Sequence, residues 1–222
     1  MSRAINISLL SSDRLLAVSV IDLRAETRAF GRSRLRESAL DAARAVVLDR
    51  GWSAVRMGEI ATAIGMSRGS VHAEFGTKDD LGQALVLREA ATFFDEMRDR
   101  LHRHPGDLPA AIHAAVAYIL DATASNPLLQ TILTQAPVGG DVSLLPLLTT
   151  RGEPLITQAV QMVREWVNEQ WPELPAADVR LMAESVARTG FSHIVTPTAA
   201  TEDIAGDLAL LACRCLKFPD PQ

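Results

Sequence analysis

The segment from residue 57 to residue 81 constrains the fold more than any other part of this 222-residue chain. Ile60 and Ile64 recur at helical spacing and give a short helix one apolar face. Gly65 follows at the position where a helix end favours a left-handed residue. Ser67 then stands where it can cap a second short helix. The pattern predicts two short helices joined by a tight glycine turn, which is a helix-turn-helix.

A third, longer helix is predicted directly after this pair. Gly76 ends the second short helix near Phe75, and Thr77 with Asp80 three residues later forms a capping-box pattern.

In a helix-turn-helix the second helix enters the major groove of DNA. The segment therefore predicts that the chain binds double-stranded DNA.

The charge distribution agrees with DNA binding once the chain is divided into parts. The formal charge of the whole chain is −5. Residues 24–78 carry ten basic and six acidic residues, whereas residues 106–222 carry six basic and thirteen acidic residues. The basic excess coincides with the helix-turn-helix, where contacts with phosphate are needed.

Residues 34–87 resemble the DNA-binding domain of the TetR/AcrR family of bacterial transcriptional regulators. The resemblance rests on an apolar helix that ends at Gly51, on Ile60-Ala61, on residues 65–71, and on Phe75 followed by residues 78–81. It implies an all-α homodimer with an N-terminal three-helix helix-turn-helix domain. It also implies a C-terminal helical domain that binds a ligand and dimerises.

The chain departs from the family pattern at three positions. The family usually has tyrosine where this chain has His72, and it commonly has threonine where this chain has Arg56. Glu74 stands where the family often has a basic or aromatic residue, and its carboxylate would repel phosphate. These departures concern the DNA sequence that is recognised and the strength of binding, and they leave the fold prediction unchanged.

We expect three parts along the chain. Residues 1–32 form a poorly ordered extension, residues 33–80 the DNA-binding domain, and residues 81–222 the effector-binding and dimerisation domain. Two alternatives for the extension are a basic arm near the DNA and a translation start further along the chain. Helices are expected at about 34–50, 78–102, 108–124, 128–135, 143–150, 154–171, 176–195 and 201–218, with a loop at 137–141.

The residues expected to contact DNA lie on the recognition helix or beside it. Arg68 is the candidate for bidentate recognition of guanine, and Gly69 leaves room for close approach to a base edge. Ser70 donates to a phosphate or a base, and His72 contacts either. The predicted set is Arg56, Ser67, Arg68, Gly69, Ser70, His72 and Lys78.

The resemblance further implies a small-molecule cavity in the C-terminal domain. Because Leu, Val, Ala and Met dominate that segment, an apolar or amphipathic effector is favoured. The predicted wall residues are Phe93, Met97, His113, Tyr118, Leu133, Met162, Trp166, Arg188 and His193.

Apolar stripes on the last two helices predict a four-helix interface between two copies of the chain. The alternative is that both stripes face only their own core. A two-fold dimer would recognise a near-palindromic operator. The predicted interface residues are Val186, Gly190, Ile204, Leu208, Leu211 and Cys215.

Other function classes find little support in the sequence. Phosphate loops, nucleophile elbows and zinc motifs are not found, so we expect no enzyme activity, no cofactor and no metal. Only two cysteines and no long apolar run predict a cytoplasmic protein without a membrane partner. The predicted function is a ligand-responsive transcriptional regulator that acts as a repressor. Activation is an open alternative, because the position of the operator decides between the two. The alternative is a helical ligand-binding or scaffolding dimer with a weakened DNA-binding head.

Overall fold

The computed structural model describes residues 12–134, 144–149 and 151–218, with side chains from residue 29 onward. Within these residues the regular structure is entirely helical, which confirms the predicted all-α class. The α-helices, in chain order, are α1 (Ser12–Arg50), α2 (Met57–Ala63), α3 (Arg68–Phe75), α4 (Lys78–His102), α5 (Leu108–Ser125), α6 (Pro127–Thr134), α7 (Leu145–Leu148), α8 (Glu153–Gln170), α9 (Ala176–Val195) and α10 (Thr201–Leu216).

Helix α1 begins much earlier than the sequence predicts. We expected a helix from about residue 34 and a poorly ordered extension before it, whereas the described helix begins at Ser12. Residues 12–33 contain no proline and a single glycine, Gly31. One glycine in a helix costs only about 1 kcal/mol, and each added residue contributes one backbone hydrogen bond once a helix has formed. Residues 1–11 of the predicted extension lie outside the described residues.

The first three helices pack around one apolar centre. Gly51 and Gly65 end α1 and α2 with φ angles of 80° and 69°, in the region that favours a residue without Cβ. The turn at Gly65 directs α3 across α2, as the sequence predicts. Helices α1 to α3 form the predicted DNA-binding head. Buried side chains from every part of this head fill the centre: Ala39, Leu40, Ala43, Val47, Trp52, Val55, Ile60, Val71 and Phe75.

Helix α4 joins this head to the rest of the chain. It begins with the predicted capping box: Asp80 N donates to Thr77 Oγ1 at 3.1 Å, and Thr77 N donates to Asp80 Oδ2 at 2.9 Å. The Thr77 hydroxyl, followed by its backbone amide, lowers the pKa of the Asp80 carboxyl by hydrogen bonding to its charged form. The early turns of α4 lie against Trp52 of the head, and later turns pack on α5 and α8.

The remaining helices form a second helical layer around α5. This helix contacts α4, α9 and α10, and α8 packs along α9. Of the helix predicted at 143–150, the described residues 144–149 contain only the short helix α7, and α8 then begins at Glu153, one residue before Pro154. Proline is tolerated there because the first turn of a helix leaves its amides unpaired. The predicted loop at 137–141 lies outside the described residues.

Helix α5 is the helix in the described part of the chain that is long and apolar enough to cross a membrane. Its 18 residues have a mean hydropathy of 1.2, and 44% of them are buried inside the protein. Contacts with α4, α9 and α10 surround it, which is the environment of a core helix. Its hydropathy is therefore explained by packing within this domain.

Candidate nucleic-acid interface and adjoining cavity

Helix α3 presents one polar face to solvent. Ser67 caps it by accepting a hydrogen bond from Ser70 N at 3.0 Å, and the two hydroxyl oxygens lie 2.9 Å apart. Val71 and Phe75 point into the head and are buried, as predicted. Because these two residues fix the rotation of the helix, its opposite face remains open for a partner.

Arg68, His72 and Gly76 form a hydrogen-bonded chain along that open face. Arg68 Nε donates to His72 Nε2 at 3.3 Å, and His72 Nδ1 lies 2.8 Å from Gly76 O. A carbonyl oxygen accepts only, so His72 Nδ1 carries the hydrogen and His72 Nε2 accepts. The sequence placed Arg68 and His72 on the same face, but it did not predict that they bind each other.

Glu74 has an intramolecular partner on α1. Arg36 Nη1 lies 3.1 Å from Glu74 Oε1, and the Glu74 side chain is 14% exposed. The Arg36 guanidinium also stacks over Phe75, with its carbon 5.1 Å from the ring centroid. The cation offsets the negative charge on the recognition helix, so the repulsion of phosphate expected from Glu74 is reduced.

The two predicted basic residues that flank the helix-turn-helix meet at Ser53. Arg56 Nη1 donates to the carbonyl oxygens of Ser53 and, at 3.0 Å, Val55. Lys78 Nζ reaches Ser53 O at 3.5 Å and lies 5.0 Å from the centroid of the Trp52 ring. The predicted DNA contacts therefore divide into two groups, one on α3 with its cap and one beside Ser53.

An apolar cavity lies between α4, α5, α8 and α9. Its free volume is about 100 Å³. Thr123 is the polar side chain on its wall, and its hydroxyl donates to Ile119 O at 2.6 Å and Leu120 O at 3.1 Å. The hydroxyl hydrogen of Thr123 is therefore already used within α5, so the described part of the cavity wall offers no free hydrogen-bond donor. Its wall includes Val86, Phe94, Ile112, Val116, Leu129, Leu148, Leu155, Val163 and Phe191.

Of the nine predicted wall residues, the structure places Phe93 and Met97 on this cavity. The other seven residues do not line it. His113 Nε2 lies 3.1 Å from Glu202, and Tyr118 stacks under Arg100 at 4.1 Å. The remaining five residues are Leu133 and Trp166 in the core, Met162 on an outer groove, Arg188 paired with Glu184, and His193 beside Thr198.

The predicted interface stripes largely face the interior of their own chain. Val186 and Gly190 line the cavity, and Ile204 and Leu208 are only 4% and 3% exposed. Leu211 and Cys215 are half-buried. The four buried residues are covered within their own chain, because α10 packs against α5 and α9. Which residues meet a second copy stays a prediction.

Two family models match most of the chain. Residues 39–85 match the model for bacterial regulatory proteins of the tetR family, and residues 107–214 match the model for the C-terminal domain of bacterial tetracyclin repressor. The chain is 31% identical over 180 residues to the HTH-type transcriptional regulator AlkX of Mycobacterium tuberculosis. That match covers 81% of this chain and 84% of AlkX.

Solved structures share the fold. The TetR family repressor AlkX from Dietzia sp. strain DQ12-45-1b, implicated in biodegradation of n-alkanes, has a TM-score of 0.66 and 31% identity. This similarity covers 82% of this chain and 96% of that one. The R. erythropolis repressor QsdR, 15% identical, has a TM-score of 0.60 over 86% of this chain and 98% of its own. Together with the helix-turn-helix geometry, these similarities show that the chain belongs to the TetR family and is a DNA-binding transcriptional regulator, not an enzyme.

Proposed function

We propose that the chain is a homodimeric repressor that acts in the cytoplasm on a near-palindromic operator and is released by a small apolar effector. The observation that carries this proposal is the apolar cavity, because α4 forms one of its walls and also borders the DNA-binding head. A molecule in the cavity would thus contact the helix that positions α3.

The size of the cavity supports a link between binding and movement. An apolar cavity of about 150 Å³ accepts benzene, whereas this one has about 100 Å³. A larger effector fits only when the walls separate, so it binds an expanded conformation better than the present one. Such a difference in affinity is what shifts a protein between two conformations. In a dimer, a shift of α4 changes the separation of the two recognition helices, which must match half-sites about 34–36 Å apart.

Helix α7 offers a second connection between the cavity and the head. Leu148, at its end, lines the cavity. Leu144, just before its start, lies against Gly82 of α4 and beside Trp52 of the head. Expansion of the cavity at Leu148 would therefore displace Leu144 and alter the contact between α4 and the head.

The apolar walls favour a hydrocarbon group as the part of the effector that enters the cavity. A polar group buried without a hydrogen-bond partner is strongly unfavourable, and the hydrogen of the Thr123 hydroxyl is already donated within its own helix. The Dietzia AlkX, at 31% identity, is implicated in biodegradation of n-alkanes. We infer that the cavity of this chain accepts an n-alkyl chain, with any polar end outside it.

The homodimer is proposed to form through the outward faces of α9 and α10. Leu181 on α9 is 55% exposed, and Leu211 on α10 is half-buried. These faces remain open after each chain has covered its own α5. Family membership supports a dimer, since two recognition helices related by a two-fold axis match a palindrome.

The test begins with selection of bound sequences from a random DNA pool at two salt concentrations. We expect a near-palindrome whose affinity falls steeply as salt rises, because phosphate contacts release counterions. Titration of the complex with n-decane should then release the DNA. Failure to recover any sequence would instead favour the alternative of a ligand-binding or scaffolding dimer with a weakened head.

A matched pair of variants locates the effector site. Ala187→Leu narrows the cavity, whereas Ala177→Leu adds the same group at an exposed position on the same helix. We expect Ala187→Leu either to lose the response to n-decane or to release DNA without it, and Ala177→Leu to respond normally. An unchanged response of Ala187→Leu would show that the effector binds elsewhere.

A further inference from the structure

Gly76, which directly follows α3, fixes the imidazole of His72 by hydrogen bonding. Gly76 N donates to His72 O at 2.8 Å, and His72 Nδ1 donates to Gly76 O at 2.8 Å. Gly76 has a φ of 77°, and a Cβ there would lie 3.0 Å from Asp80 Oδ2. A glycine is therefore favoured at this position, and its carbonyl holds the ring in one tautomer.

The fixed ring in turn holds Arg68. Its Nε2 accepts from Arg68 Nε, so the inner edge of the guanidinium is occupied. No other hydrogen bond or ion pair to Arg68 occurs among the described residues. The two terminal nitrogens remain available, and these form the fork that binds guanine O6 and N7 side by side.

We propose that His72 is a positioning residue that sets the geometry with which Arg68 recognises a base pair of the operator. This inference rests on the proposed function, in which Arg68 contacts a base. An arginine already held in its bound conformation loses less rotamer freedom on binding DNA. Removal of water by the bound DNA also strengthens the bond between the two side chains.

Two substitutions distinguish the contributions of the two hydrogen bonds that the imidazole makes, one to Gly76 and one to Arg68. His72→Asn keeps a donor in the place of Nδ1 for Gly76 O but removes the acceptor near Arg68. His72→Gln keeps an acceptor at the distance of Nε2. Arg68→Ala identifies the base pair that depends on the arginine, and the double variant Arg68→Ala/His72→Asn completes a cycle.

The measurement is the dissociation constant for the selected operator and for versions altered at one base pair each. We expect His72→Asn to reduce discrimination about 3- to 10-fold, the range of one hydrogen bond, at the base pair identified by Arg68→Ala. The thermal midpoint should not change. His72→Gln should retain most of the discrimination, and the double variant should lose no more than Arg68→Ala alone.

Several results would overturn the proposal. His72→Asn could leave discrimination intact, reduce it equally at all base pairs, or add its full effect to that of Arg68→Ala. Unchanged discrimination in Arg68→Ala would also overturn it, because His72 would then have no base-contacting residue to position. Absence of any selective binding by the unaltered protein is a distinct outcome, since it contradicts the proposed function itself.

Discussion

At the scale of single residues, Gly82 shows how little space separates α4 from its neighbours. A Cβ at this position would lie 2.7 Å from Leu144 Cδ2 and 2.8 Å from Trp52 Cζ2. We expect Gly82→Ala to lower the free energy of unfolding by about 1–3 kcal/mol, because overpacking forces side chains away from their preferred positions. Urea unfolding measures this change.

Gly58 provides the control for Gly82. It lies in α2, and a Cβ there would meet no atom within 4 Å. Gly58→Ala should stabilise the protein by about 0.5–1 kcal/mol, since alanine loses less backbone freedom in a helix. Equal effects of the two substitutions would mean that Leu144 and Trp52 pack less tightly against Gly82 than the structure indicates.

At the scale of helices, the cap of α4 makes stability depend on pH. The folded pKa of Asp80 is lowered from its ordinary value of 3.8 by the Thr77 hydroxyl and amide. A lowered folded pKa contributes stability above the unfolded pKa, and this contribution is lost as pH falls through the folded pKa. The stability difference between the unaltered protein and Asp80→Asn should therefore be constant near neutral pH and shrink below about pH 4. A difference that grows on acidification would contradict this assignment.

Glu89 connects three helices at the junction between the head and the second layer. Its Oε1 accepts from Arg44 Nε of α1 at 2.7 Å, and its Oε2 accepts from Asn126 Nδ2 at 3.2 Å, just before α6. The Glu89 side chain is 13% exposed. We expect Glu89→Gln to destabilise the protein by about 1–3 kcal/mol, because hydrogen bonds to a poorly solvated charge are strong.

The control for Glu89 is an ion pair on the surface of the same helix. Asp95 pairs with Arg98 at 3.0 Å, and both side chains are well exposed. Asp95→Asn should change the unfolding free energy by less than about 0.5 kcal/mol, since solvent screens such pairs. Urea unfolding measures both variants. A comparable loss of unfolding free energy in the two would show that Glu89 stabilises the junction no more than a surface ion pair does.

The sequence predicted most accurately those features that depend on residues close together along the chain. The cap at Ser67, the turn at Gly65 and the capping box of α4 each involve side chains within about four positions, so local rules suffice. The walls of the cavity depend instead on distant partners. His113 looked like a wall residue but is bound by Glu202, and no local pattern in the sequence indicates such a contact.

The apolar stripes of α9 and α10 show the same limit at the scale of a helix. A stripe has one spacing whether it faces the core of its own chain or a second copy. Leu208 is 3% exposed because α10 packs on α5, whereas Leu211, three residues later, is half-buried. Periodicity identified the helix and its apolar face, but only the packing of α5 determined what that face covers.

At the scale of the whole molecule, the proposed dimer requires an interface that each chain leaves open. Leu181 meets this condition with 55% exposure, whereas Leu208 is 3% exposed, so a charge there would destabilise the chain itself and would not test association cleanly. We expect Leu181→Glu to give monomers in sedimentation equilibrium and to weaken operator binding by more than about 10-fold, because the two heads no longer bind as one unit. Leu48→Glu, at a 38% exposed position on α1, should remain dimeric. If Leu181→Glu stays dimeric with a normal unfolding transition, the two-fold axis lies elsewhere, and the separation of the recognition helices must be derived from a different face.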